Sequence, residues 1–163
     1  MAIQTPKFDV AMSSSGQQAA PPQAHRRLRL ALIALAGLVA LTAIPGALFV
    51  LPTMPTEWLH QGLIAPFADY NIPALALGIL CGGMALLAIT GVLLRPRFGG
   101  LTSLIAGILM IGFELVEITI VGFTPLLYPT QPQGWLQVIY LVVGSLMAAL
   151  GWRLWKADAR ATR

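Results

Sequence analysis

Two carboxylic acids, Glu114 and Glu117, stand inside a run of residues that is otherwise apolar. Their spacing of three puts both on one face of a helix. A carboxylate at membrane depth is costly, and it normally faces protein or trapped water rather than lipid. No Lys or Arg falls in the core of this or any other apolar run. The partners of these acids are therefore hydroxyls, backbone, water, each other or a bound cation. Tyr128 and Tyr140 are the candidate hydroxyl partners. Without a partner, at least one carboxyl is expected to carry its proton at neutral pH. Three readings are open. The pair forms a proton-exchanging or cation-binding cleft; or the acids are neutral and glue helices together through hydrogen bonds; or Glu117 reaches the headgroup zone and needs no partner.

Other residues able to do chemistry are few. Glu57, His60, Asp69 and Tyr70 gather in one loop. His60 and Asp69 could share a proton or a metal, but two ligands are too few for a closed zinc site. No metal is expected. Cys81 is the single cysteine, which excludes an intrachain disulfide and a cysteine cluster. There is no Gly-rich phosphate loop, His-Glu-x-x-His, Gly-x-Ser-x-Gly or Cys-x-x-Cys, so no cofactor and no catalytic residue is assigned.

The elements that position these residues follow from composition. The chain has 163 residues, 57% hydrophobic and 10% charged, with mean hydropathy +0.79. A soluble domain carries roughly 25% charged residues, so the bilayer is the natural solvent of this chain. Four apolar runs predict spans at 28–50, 72–94, 98–121 and 135–155. They make one transmembrane domain over 28–155, an all-α four-helix bundle. A disordered tail is expected over 1–27, rich in Ala, Ser, Gln and Pro, and a short polar tail over 156–163. The first span is expected to be retained rather than cleaved as a signal peptide, because its apolar run is long and a long polar leader precedes it. Pro45-Gly46 is expected to kink or end it. Thr56 is a candidate N-cap for a short interfacial helix in the first loop.

Charge gives the orientation. All ten Lys and Arg lie in the N-terminal segment, the Arg95-Pro96-Arg97 turn or the C-terminal end. The positive-inside rule therefore predicts both termini and the middle turn in the cytoplasm. Trp135 at one end of the fourth span, with Trp152 and Trp155 at the other, fits an aromatic belt. The net charge of +4 is no sign of nucleic acid, since the basic residues sort by membrane side. In this frame Glu117 lies roughly 6–8 Å below the outer end of the third span, and Glu114 roughly 4–5 Å deeper. Ser103, Gly107, Met110, Glu114, Glu117 and Val121 make one inward stripe. Leu104, Ile108, Ile111, Leu115 and Ile118 make the opposite face, suited to lipid.

Small residues mark close packing. Gly78 and Gly82 form a Gly-x-x-x-Gly pair in the second span, Gly144, Ala148 and Gly151 form a similar stripe in the fourth, and Gly107 of the third is a further candidate for helix packing. Packing within the chain is favoured over a homodimer seam. The expected partners are the lipid bilayer and a membrane protein partner or second copy.

Four stretches carry a resemblance: Ile44-Pro45-Gly46; Ala65-Pro66-Phe67-Ala68-Asp69-Tyr70-Asn71-Ile72-Pro73; Gly112-Phe113-Glu114-Leu115-Val116-Glu117; and Leu136-Gln137-Val138-Ile139-Tyr140. Over residues 30–152 the chain resembles a group of small bacterial four-helix membrane proteins, loosely DoxX-like. That group tends to show Trp at Phe113, an amide or acid at Glu117 and an apolar residue at Glu114. The resemblance implies the four-helix architecture and a structured Pro-Phe-x-Asp-Tyr loop packed at the outer surface, with no activity to transfer. The expectation is a multi-pass protein of the bacterial cytoplasmic membrane, an accessory or assembly protein without enzymatic activity. The alternative is a binding or transport protein for a small solute, proton or cation, using Glu114 and Glu117.

Overall fold

The computed structural model describes residues 22–53, 56–60, 67–127, 130 and 135–161. Its helices are α1 (Pro22–Pro45), α2 (Asn71–Leu75), α3 (Met84–Leu94), α4 (Pro96–Val121), α5 (Thr124–Leu127) and α6 (Leu136–Ala161). The described residues include no strand. Four helical stretches are long and apolar enough to cross a membrane: Gln23–Phe49, Asn71–Leu94, Arg97–Val121 and Leu136–Arg160. Each span packs on the next, and the fourth closes against the first. The protein is an all-α four-helix bundle. In the most apolar window of each span only 28–39% of residues are buried. Leucines such as Leu41 and Leu94 are about three-quarters exposed, a surface suited to hydrocarbon and not to water.

The first helix starts earlier than expected. It begins at Pro22, so His25, Arg26, Arg27 and Arg29 occupy its opening turns. Proline is tolerated in the first turn because its missing N–H has no helical partner there. His25 Nδ1 lies 3.8 Å from Asp158 Oδ1, tying the start of the first helix to the end of the fourth. The fourth helix likewise runs past Trp155 to Ala161. The 22–27 part of the expected tail and most of 156–163 are thus helical, while residues 1–21 lie outside the described residues.

Pro45 does not end the first span. It has no N–H for the carbonyl of Leu41, and the chain continues as a wider π-helical turn, Gly46–Val50. The second span carries its own π-helical segment, Ala76–Gly83, between α2 and α3. The two wide segments face each other. A Cβ on Gly78 would sit 3.1 Å from that of Ala47, and one on Gly82 would sit 2.6 Å from Ile44 Cγ1. The Gly78–Gly82 pair therefore serves contact between the first and second spans.

Between the second and third spans only Arg95 leaves the helix. Its N–H donates to the Gly91 carbonyl at 2.8 Å, and its own carbonyl accepts from Gly99 N–H at 2.8 Å. Pro96 then opens α4. The third and fourth spans meet along a seam of small residues. A Cβ on Gly107 would collide with the backbone of Gly144 and Ala148, and one on Gly151 would come 2.6 Å from the Leu104 amide nitrogen.

This seam corrects the expected lipid face of the third span. Ile108 and Leu115 are exposed, but Leu104 and Ile111 are half-buried, because they border Gly151 and Gly144. Two helices brought this close cover the residues flanking the contact as well as those in it. Ile118 is half-buried too.

Span hydroxyls are mostly satisfied by their own helix. Thr42 donates to the Leu38 carbonyl at 2.8 Å, Thr90 to Leu86 at 2.9 Å, and Ser145 to Leu141 at 2.7 Å. In hydrocarbon a hydroxyl has no water to turn to, so such back-bonding is the local solution.

Candidate functional site

The inward stripe of the third span is buried as its spacing predicts. Ser103, Met110 and Glu114 are at most 1% exposed, and Glu117 is half-buried. The α4 helix thus carries both acids into the bundle. Their environments differ sharply.

Glu117 has a donor. Gln137, in the first turn of α6 and 2% exposed, donates from Nε2 to Glu117 Oε1 at 3.2 Å. The same amide lies 3.3 Å from the Gly122 carbonyl. Gly122 ends the third span with φ +82°, a left-handed conformation that glycine adopts without strain. That turn aims the Gly122 carbonyl at the amide. One side chain of the fourth span therefore holds both the acid and the end of the third.

Glu114 has none. It is 1% exposed, and among the described residues neither carboxyl oxygen has a hydrogen-bond partner. Its surroundings come from three spans. Cys81 of the second and Tyr140 of the fourth are within electrostatic reach of both acids. Both are buried in the central cluster with Met110, and Phe113 packs against it. Tyr140, expected as a hydroxyl partner, makes no hydrogen bond to Glu114. Ser103 Oγ, lower on the stripe, is a further buried oxygen without a partner among the described residues.

The loop candidates are not brought to this place. Glu57 is exposed. Asp69 is also exposed, and it accepts from the Asn71 N–H at 3.0 Å and from Asn71 Nδ2 at 2.7 Å. The bond to the Asn71 N–H closes a local turn two residues long just before the second span. Tyr70 is buried with Leu59 and Ile120, and Phe67 and Val121 pack against them. The first loop is thereby held on the third span, with a 3-10 turn at Thr56–His60. Tyr128 and the side chain of His60 lie outside the described residues. No group of three or more His, Cys, Asp or Glu able to hold a metal occurs among the described residues.

Sequence reasoning did not single out Gln137. Its signal was there: an amide inside the apolar run of the fourth span, where a polar side chain is expected to bond across helices.

The fold and composition define a multi-pass membrane protein with a carboxyl pair in its core. Comparison with protein-family models, with curated proteins and with solved structures finds no match to the chain.

Proposed function

We propose that this chain is a multi-pass protein of the bacterial cytoplasmic membrane, with both termini in the cytoplasm, that binds a proton or a small cation at Glu114 and Glu117. One observation carries this reading: Glu114 is buried with both carboxyl oxygens unpartnered. A neutral acid serving as helix glue would donate its proton to a neighbour and accept from another. Glu114 does neither among the described residues. A protein partner cannot supply the missing contact either, because the side chain is not at the surface. What fits is a ligand small enough to enter the core, with positive charge to meet two acids. Gln137 holds Glu117 in place by its amide, which leaves the deeper acid as the open ligand.

The accessory or assembly reading has one observation in its favour. Two grooves, one beside Arg27 and one beside Arg95, are lined by residues of the opposite end of the bundle and do not include Glu114. In that reading the acids are neutral packing groups.

Thermal unfolding of the purified protein over a series of cations and pH values separates the two. A ligand that binds only the folded state at a hundred times its Kd adds about 2.7 kcal/mol of stability. We expect one cation to raise Tm of the wild type at fixed pH, and Glu114→Gln to remove that response. A Tm indifferent to cations, with Glu114→Gln and Glu117→Gln as stable as wild type, would sink the binding reading and leave the accessory one.

A further inference from the structure

The end of the bundle opposite the acids has its own unassigned feature. Between the start of the first helix and the fourth lies a groove of about 440 Å³. Its walls are Ala24, Leu28, Ala31 and Leu150, and Gln23 and Arg27 stand at its polar end. Positions 24, 28 and 31 follow one face of α1 by helical spacing, and 23 and 27 border that face. A lipid-facing groove of this kind, apolar along its length with a cation and an amide at its mouth, has the polarity of a phospholipid: acyl chain below, headgroup above.

Charge makes the headgroup anionic. Every described Lys and Arg sits at this end of the bundle, in α1, the Arg95–Arg97 turn or the end of α6. Asp158 is the one described acid there, and it lies against His25. Arg29 Nε is buried with no partner among the described residues. Eight described Lys and Arg thus share this end with a single described carboxylate. A second groove, of about 330 Å³, repeats the pattern on the second and third spans, with Leu87, Leu94 and Phe98 as walls and Arg95 at one end.

We propose that the groove between the first and fourth spans is a binding site for an anionic phospholipid, its headgroup phosphate at Arg27 and Gln23 and one acyl chain along Leu28, Ala31 and Leu150. Arginine suits this position because its planar fork meets a phosphate with two parallel hydrogen bonds. The site is independent of the carboxyl pair, so neither stands or falls with the other.

The test is native mass spectrometry of the full chain purified in detergent and titrated with phosphatidylglycerol or phosphatidylcholine. One bound phosphatidylglycerol is expected to persist at concentrations where phosphatidylcholine adducts are lost. Arg27→Gln is expected to weaken phosphatidylglycerol about fivefold, the effect of removing one near-surface cation from an anionic lipid. Arg97→Gln, which removes a cation at the same end but outside the groove, is expected to change it less than twofold. Ala31→Phe fills the groove without touching charge, and it should abolish the persistent adduct while Tm measured without lipid stays near that of wild type. Equal retention of the two lipids would overturn the proposal. So would equal weakening by Arg27→Gln and Arg97→Gln, an adduct that survives Ala31→Phe, or a second copy of the chain appearing in place of lipid.

Discussion

Glu114 and Glu117 differ by one turn of helix, yet they meet different chemistry because Gln137 reaches only one of them. Replacing Gln137 by Leu would leave Glu117 without its donor and free the Gly122 carbonyl as well. The expected cost is about 1–3 kcal/mol, the penalty for a buried polar group left unpaired. It would be read as a lower midpoint in denaturant for the purified protein. The double variant Gln137→Leu with Glu117→Leu should recover part of that loss, since it removes both partners together. A double variant no better than the single one would mean the pair is not coupled. Glu117 and Glu114 were legible as inward-facing from their spacing alone. The donor was not, because nothing in the sequence gives the axial register between the third span and the fourth.

Among the elements, the contact between α4 and α6 depends on glycine at particular places. Gly107 faces backbone atoms of Gly144 and Ala148, which cannot rotate aside, whereas a Cβ on Gly112 would have nothing within 4 Å. Gly107→Val is therefore expected to destabilise the protein by about 1–3 kcal/mol or more, as overpacking does. Gly112→Ala should stay within about 0.5 kcal/mol of wild type, like other surface changes. Thermal unfolding of the two variants side by side checks the contrast, and equal losses would contradict the seam. The small-residue stripes could be read from the sequence as close-approach surfaces. Which stripe met which was decided by packing. Gly78 and Gly82 went to the first span and Gly144 and Gly151 to the third, so neither stripe is left as a free surface for a second copy. The same packing half-covers Leu104 and Ile111, which helical periodicity alone had turned toward lipid.

At the scale of the whole molecule, charge divides the bundle into a cationic end and an end whose described charges are the acids Glu57 and Asp69. Translocation of short loops is opposed by Lys and Arg. Single cysteines test the resulting orientation in intact cells. Glu57→Cys should react with a membrane-impermeant maleimide, and Arg97→Cys should react only after the membrane is opened. The native Cys81 is 2% exposed and should stay unlabelled in both. Labelling of position 97 but not 57 in intact cells would reverse the topology.

The class of this protein was determined by its sequence alone. Four apolar runs of membrane length leave a helical bundle as the natural arrangement, because in hydrocarbon the backbone must satisfy its own hydrogen bonds. Basic residues confined to alternate loops set the expected orientation, and a spacing of three put both acids on one face. Those are properties of local composition and period, which a linear chain displays directly. Tertiary structure alone decided three things: that Gln137 bonds Glu117, that Glu114 is left without a partner, and that a groove opens beside Arg27. Each depends on how far one helix slides and turns against another. That register comes from side-chain packing across the whole seam, so no single residue or periodicity announces it.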